Sequence, residues 1–447
     1  MSQIRLARFA LMLAAIGLNA APALTQTAAA QASKSATIPT APQAPGAANG
    51  AAQPKPDGVR PELLKLLDPA TIKPLMDAKN YTEVQSRITQ ADAIADKTPY
   101  ETYVVNRMKL SLGTATNNEQ MQQSALEAVL ASGKLSDAEK PNFTLALATT
   151  YYNAKNYPKA IELYKQLQAS GVNTDQVNNG LMRSYYFSGD YATVVKMQGP
   201  QLDAEVKAGK TPADAELRMY ASSANKAKDD AAYMRGLELL ATYYPNDDYW
   251  SDLINRAVLR KAGYDRSFDT DTLRLEFAAV KKMSPEVYTD LAELALKDGF
   301  PTEAKKVMDA GFAANVLGTG SGAAAERQLR DRATKEAASD AKNIASGEAS
   351  ATKSKTGAGL VNLGWAYVTM DQFDKGIPFI EQGIAKGSLK STDEAKLRLG
   401  MAYARAGQKD KAIQTFQGVT GKGGAADIAR CWIILLNHPN TGGASAS

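Results

Sequence analysis

From Phe143 to Met197 the apolar side chains recur at helical spacing, break at a short polar turn, and recur again. Leu147, Ala148 and Tyr151 stand at i, i+1 and i+4, which places them on one face of a helix. Asn156-Tyr157-Pro158 interrupts the pattern, with the proline suited to the first position of the next helix. Ala160, Ile161, Tyr164 and Leu167 then mark one face of a second helix, and the small residue at 160 lets the pair approach closely. Shifted by 34 residues the stretch falls on itself: Leu147 on Leu181, Tyr151 on Tyr185, Tyr157 on Tyr191 and Ala160 on Val194. Two helices of this length cannot bury their apolar faces alone, so a fixed period predicts an all-α stack of helix–turn–helix units.

The same register can be followed along most of the chain. It begins near Arg60-Pro61-Glu62, with a short helix at Leu63, Leu64 and Leu67, and continues through degenerate units from Tyr81 to Leu130. After Met197, Gly199-Pro200 and a polar run lengthen one connection, and then Tyr220, Ala221, Ala224 and Leu237 restore the phase. Trp250 and Leu253 restart it before an irregular stretch around Gly263. Leu291, Ala292, Gly299, Ala304 and Met308 are in phase again. Residues 318–356 are expected to interrupt the array with a Gly-rich start, GTGSG, and a charged, Ala-rich helix with few apolar anchors. Two further units follow: Leu363, Gly364, Tyr367, Phe373 and Gly376 recur 36 residues later as Leu399, Gly400, Tyr403, Lys409 and Ala412. Ala425–Leu436 is apolar enough to cap the stack.

These units resemble the tetratricopeptide repeat family, whose pattern runs W-x2-L-G-x2-Y, then a glycine and an aromatic, then A-x3-F, then P. The unit around Leu147 carries the leucine, Tyr151, Tyr157, Ala160 and Tyr164, but has Ala148 and Lys155 at the glycine positions. The next carries Leu181, Tyr185, Gly189 and Tyr191. The resemblance implies a right-handed superhelical solenoid whose first helices line a concave face that holds a peptide or a partner protein. By register, that face includes Asn142, Thr149 and Tyr152 in one unit, Asn179, Arg183 and Tyr186 in the next, and then Arg218, Asn225 and Asn255. Asn, Arg and Tyr suit an extended backbone or a carboxylate. The family's Lys/Asn carboxylate clamp is not matched. Less specifically, the C-terminal half resembles repeat proteins of Gram-negative, alphaproteobacterial envelopes.

Composition changes the picture chiefly at the ends. Arg5 and Arg8 precede an apolar run, Phe9–Leu18, and small residues follow, with Ala21-Pro22-Ala23 and Ala30-Gln31-Ala32 fitting a cleavage site. Residues 1–23 therefore read as an export signal, cleaved as late as 32, and the run is too short to span a membrane. Residues 24–58, rich in Ala and Pro, read as a disordered linker. Residues 59–317 are the first array, 357–437 the C-terminal pair with its cap, and 438–447 a loose tail. The expected location is the periplasm, with peripheral association at the outer membrane a further expectation.

Candidate chemistry is sparse in 447 residues of net charge +5. Cys431 is the one cysteine, so an internal disulfide and a multi-cysteine metal site are excluded, and His438, the one histidine, stands in the polar tail, where a histidine-activated nucleophile is not expected. GTGSG lacks the strand before it and the Lys-Ser/Thr after it that a phosphate loop needs. Asp229-Asp230 and Asp247-Asp248 fall where caps and turns favour aspartate. Basic pairs such as Lys281-Lys282 are too short for a nucleic-acid arm. No cofactor or metal is expected. The leading expectation is a non-enzymatic scaffold for another envelope protein or an extended peptide. The alternatives are a glycan- or peptidoglycan-associated enzyme or accessory subunit, with Glu293 as its one catalytic candidate, and an outer-membrane assembly subunit.

Overall fold

In a computed structural model, residues 58–440 are described; the expected export signal, most of the Ala/Pro-rich segment and the last seven residues lie outside them. The described chain is helical, with no strand among those residues. It divides into two compact units, residues 1–194 and 195–447.

The first unit opens with α1 (Pro61–Leu67), α2 (Pro69–Asp77) and α3 (Tyr81–Ala93). The pairs α4 (Pro99–Ala115) with α5 (Glu119–Ala131) and α6 (Lys140–Asn153) with α7 (Tyr157–Ala169) follow, and then α8 (Asp175–Ser188). The division falls within α9 (Tyr191–Lys207). Each pair starts and turns for a local reason. Thr98 and Glu101 form a reciprocal capping box on α4. Asn80, Asn118 and Asn156 cap the second helix of successive pairs by accepting an amide hydrogen bond from three residues on. The residue before each cap is left-handed: Lys79, Asn117 and Lys155 lie at φ 55, 51 and 59°, as Gly189 does at 88° in the next turn.

That observation explains how the unit around Leu147 keeps its register without glycine. Lys155 adopts the left-handed backbone that glycine takes freely, at a cost of about 1–2 kcal/mol. Lys155→Gly should therefore stabilise the first unit by about 0.5–1 kcal/mol, the strain relieved less the extra entropy of an unfolded glycine. Urea unfolding followed by circular dichroism would measure it, and a loss of stability would contradict the account.

The second unit contains α10 (Asp214–Ala227), α11 (Asp230–Tyr243) and α12 (Asp247–Ile254). The last runs into a single π turn, Asn255–Leu259. After it come α13 (Asp269–Ala279), α14 (Pro285–Lys297), α15 (Pro301–Ala313), α16 (Ala323–Asn343) and α17 (Glu348–Lys353). The unit ends with α18 (Ala358–Thr369), α19 (Phe373–Lys386), α20 (Thr392–Arg405), α21 (Lys409–Gln417) and α22 (Ala425–Asn437).

The stack is continuous across residues 318–356, contrary to the expected interruption. Glu303 of α15 accepts from the Trp365 indole of α18 at 3.2 Å, so the pairs on either side of the insertion meet directly. The insertion is carried beside them, with Arg330 of α16 paired to Asp309 of α15 at 2.6 Å. The Gly-rich start does not cradle an external anion: the Glu326 carboxylate of α16 itself accepts from the Gly318 amide at 2.6 Å.

A buried ionic network sits at this junction. Arg274 of α13 donates to Asp271 at 2.8 Å and to both oxygens of Glu303, at 2.7 and 3.0 Å, while Arg405 of α20 reaches Glu303 at 3.3 Å. The Trp365 ring has both guanidinium groups over it, 4.7 and 4.8 Å from its centroid. Burial pushes the Glu303 carboxyl up, but the two arginines and the hydrogen bonds outweigh it and hold the group down to about 2.

The last helix does more than cap its neighbour. Besides packing on α20 and α21, α22 returns to the helices that open the unit. Asp427 pairs with Lys261 at 2.7 Å, Arg430 with Glu238 of α11 at 3.0 Å, and the Asp265 amide donates to the Gly423 carbonyl at 3.0 Å. The first residues of the tail pack back on the unit. His438 packs on the Tyr243 ring, and the Asn440 side chain donates to Asp247 and to the Ala279 carbonyl, at 2.9 and 3.0 Å.

Candidate aromatic binding site

The first unit carries a row of aromatic rings built by the repeat itself. Tyr152 ends α6 and Tyr157 begins α7; 34 residues on, Tyr186 lies near the end of α8 and Tyr191 begins α9. Each pair meets edge-on, with centroids 5.9 Å apart for Tyr152–Tyr157 and 5.6 Å for Tyr186–Tyr191. Phe187 joins the copies. It lies 5.8 Å from Tyr157 in a stacked arrangement, 6.1 Å from Tyr152 and 5.3 Å from Tyr186.

Phe187 is 45% exposed, and Leu64 at 41% is the one other exposed large hydrophobic side chain among the described residues. A lone exposed apolar residue needs no explanation, but Phe187 is framed by the half-buried Tyr152, Tyr157 and Tyr186, and together they make an amphipathic surface patch. Arg183, one turn before Phe187 on α8, hydrogen-bonds the Tyr152 hydroxyl. Burial raises the Tyr152 pKa and the Arg183 charge partly offsets it. The surface thus combines aromatic rings with a guanidinium bonded at its edge.

Local packing sets these positions. Tyr151 is turned into the core, where its hydroxyl bonds Glu127, and Lys159 lies 4.8 Å from its ring centroid. Tyr152, one residue on, is rotated by about 100° and faces outward. Gly180 lets α8 close on α7: a Cβ there would stand 2.4 Å from Cζ of the buried Tyr164.

Of the residues placed by register on the concave face, Tyr152, Arg183 and Tyr186 come together in this row. Asn142 and Asn179 are exposed. Thr149 is not on that face. It is 7% exposed, donates to the Leu145 carbonyl at 2.9 Å and lies 3.4 Å from the Tyr164 hydroxyl, so it serves the α6–α7 contact. Arg218, Asn225 and Asn255 belong to the second unit. There Arg218 is paired to Asp214 at 2.7 Å, and Asn255 starts the π turn. The register reading did not place Tyr157, Tyr191 or Phe187 on that face. The available signal was the recurrence of a second aromatic pair, 152/157 and 186/191, one residue outside the buried set.

Glu293 is exposed on α14. Asp247 accepts from the Lys281 and Lys282 amides at 3.0 and 3.1 Å, and Asp229 caps α11, so both aspartate pairs do local structural work. Among the described residues no group of three or more His, Cys, Asp or Glu could hold a metal ion, and no helix is long and apolar enough to cross a membrane.

Comparison with known proteins adds one family and one weak likeness. A family model described as tetratricopeptide repeat matches residues 394–422. No curated protein sequence matches the chain. Among solved structures, one described as "Structure of Naa15/Naa10 bound to HypK-THB" aligns with 12% identity and a TM-score of 0.26, a likeness too slight to argue from. It covers 82% of this chain, which in turn spans only 64% of that one. The matched segment, α20 with α21, is built on the same plan as the other helix pairs: a left-handed residue at the turn, a small residue at the crossing and aromatic packing on either side. Residues 394–422 thus match a tetratricopeptide repeat, and the helix pairs before them share its helix–turn–helix plan.

Proposed function

We propose that this chain is an exported, non-enzymatic scaffold of the cell envelope, working in the periplasm, that holds another protein or an extended peptide on the aromatic row of its first unit. The observation that carries the reading is Phe187, exposed among Tyr152, Tyr157 and Tyr186, with Arg183 bonded to Tyr152. Interfaces concentrate their binding energy in aromatic and arginine side chains of this kind. The expectation of export rests on the Arg5/Arg8 and Phe9–Leu18 pattern, and a fold of repeated helix pairs that presents side chains on its surface suits a scaffold.

The test is crosslinking in the native envelope, identification of the bound protein, and titration of that purified protein. Phe187→Ala should weaken binding by about 30-fold, corresponding to about 2 kcal/mol for a central aromatic anchor. Arg183→Ala should weaken it less, and helicity should be unchanged in both. Equal affinity of Phe187→Ala and wild type for the identified protein would remove the row as its site. Recovery of the full-length precursor from the cytoplasm alone would remove the location.

A further inference from the structure

The last helix is seated in the second unit as a ligand would be. In α22 the buried side chains Ile428, Cys431, Trp432 and Leu435 stand at i, i+3, i+4 and i+7, the spacing by which a single helix lies in an apolar groove. Two sets of helices far apart in the chain make the groove: α20 and α21 on one side, and α11, α13 and the π turn on the other. Trp432 stacks on Phe416 of α21, with ring centroids 5.7 Å apart. Charges match at the rim. Asp427, one residue before the first anchor, meets Lys261 at 2.7 Å, and Arg430 meets Glu238 at 3.0 Å. The seat thus selects an acid, an apolar stripe and a base in a fixed order.

The hold on this helix is weaker than its burial suggests. The Lys261 and Arg430 side chains are each 46% exposed, and ion pairs at such a rim contribute little. The Trp432 indole N–H is buried and finds no acceptor among the described residues, an uncompensated loss on docking. The connection from α21 is GVTGKGG, residues 418–424, with four glycines in seven residues. A linker of that composition lets the helix leave while α21 stays in place.

We infer that α22 is a releasable resident of this seat, and that the seat accepts from outside an amphipathic helix of the same pattern: apolar anchors at i, i+3, i+4 and i+7, a carboxylate just before the first and a base two residues after it. Such a helix competes with α22 for one set of contacts, so its apparent affinity is set by the fraction of time that α22 is away. This docking site lies in the second unit and does not rest on the aromatic patch of the first.

The experiment uses the whole chain. Hydrogen exchange read by mass spectrometry, which needs no variant, should show the α22 amides exchanging about tenfold faster than those of α20 and α21. A fluorescein-labelled synthetic peptide of residues 421–440, in reducing buffer, should bind the chain. It should bind Asp427→Ala/Arg430→Ala about tenfold more tightly, because the loosened resident leaves the seat open for longer. The same peptide carrying Trp432→Ala should not bind, and Phe187→Ala in the chain should leave binding unchanged. Protection of α22 equal to that of its neighbours, equal peptide affinity for the two chains, or no binding to either would overturn the inference. Undiminished binding of the Trp432→Ala peptide, or loss of binding in Phe187→Ala, would overturn it too.

Discussion

Arg274→Ala is expected to destabilise the second unit by about 3–5 kcal/mol, the cost of leaving buried carboxylates without their cation. Arg274, Asp271 and Glu303 are all almost inaccessible to water, and Arg274 is the group that bonds both acids. Its removal strands Asp271 entirely and leaves Glu303 with Arg405 and the Trp365 indole. The coupling can be isolated. Arg274→Met/Glu303→Leu should cost less than the sum of the two single changes, because the second removes a charge that the first had orphaned. A sum that is simply additive would show that the pair is not the source of the effect.

The same network sets an acid limit. Glu303 is held down to about 2 in the folded state, against an ordinary unfolded value near 4.3. A depressed carboxylate contributes stability that is fully present above the unfolded value and is lost as pH falls towards the folded one. In the first unit Glu101 behaves alike: burial pushes it up, but hydrogen bonds from Arg60 and Thr98 bring it down to about 2. Both units should therefore lose stability between about pH 4 and pH 2, and Glu303→Gln should flatten that slope in the second unit alone. Thermal unfolding measured across this range, in wild type and variant, checks it.

Gly364→Ala is expected to destabilise by about 2–3 kcal/mol, although alanine is the better helix former by about 1 kcal/mol. Helices α18 and α19 touch backbone to backbone. A Cβ on Gly364 would stand 2.5 Å from the Gly376 carbonyl oxygen, one on Gly376 would stand 2.6 Å from that of Gly364, and one on Gly383 2.7 Å from that of Gly357. No side chain can rotate aside to make room, so the pair must separate and Trp365, Tyr367 and Ile380 lose packing. Gly359, on the same helix, is the control: a Cβ there meets Ala351 at an ordinary 3.6 Å. Gly359→Ala should be neutral or stabilising. Two glycine-to-alanine changes five residues apart should thus differ in sign, and chemical unfolding of both variants decides it.

What the sequence determined by itself was the repeating unit. Its signals are local: an i, i+1, i+4 face at Leu147, an Asx cap after a left-handed residue, a small residue at the helix crossing. Each acts over a few residues, so each survives in a linear reading, and together they assign the helix pairs and put Tyr152, Arg183 and Tyr186 on one face. Tertiary structure decided which side chains on that face remain open and which parts of the chain meet. Thr149 has the right register but is claimed by Tyr164, while Tyr157 and Tyr191 are only partly buried and pack edge-on against Tyr152 and Tyr186. The Glu303–Arg405 contact spans 102 residues and Lys261–Asp427 spans 166. Pairings at such separations leave no periodic trace, because they depend on how successive units stack and no single unit encodes that.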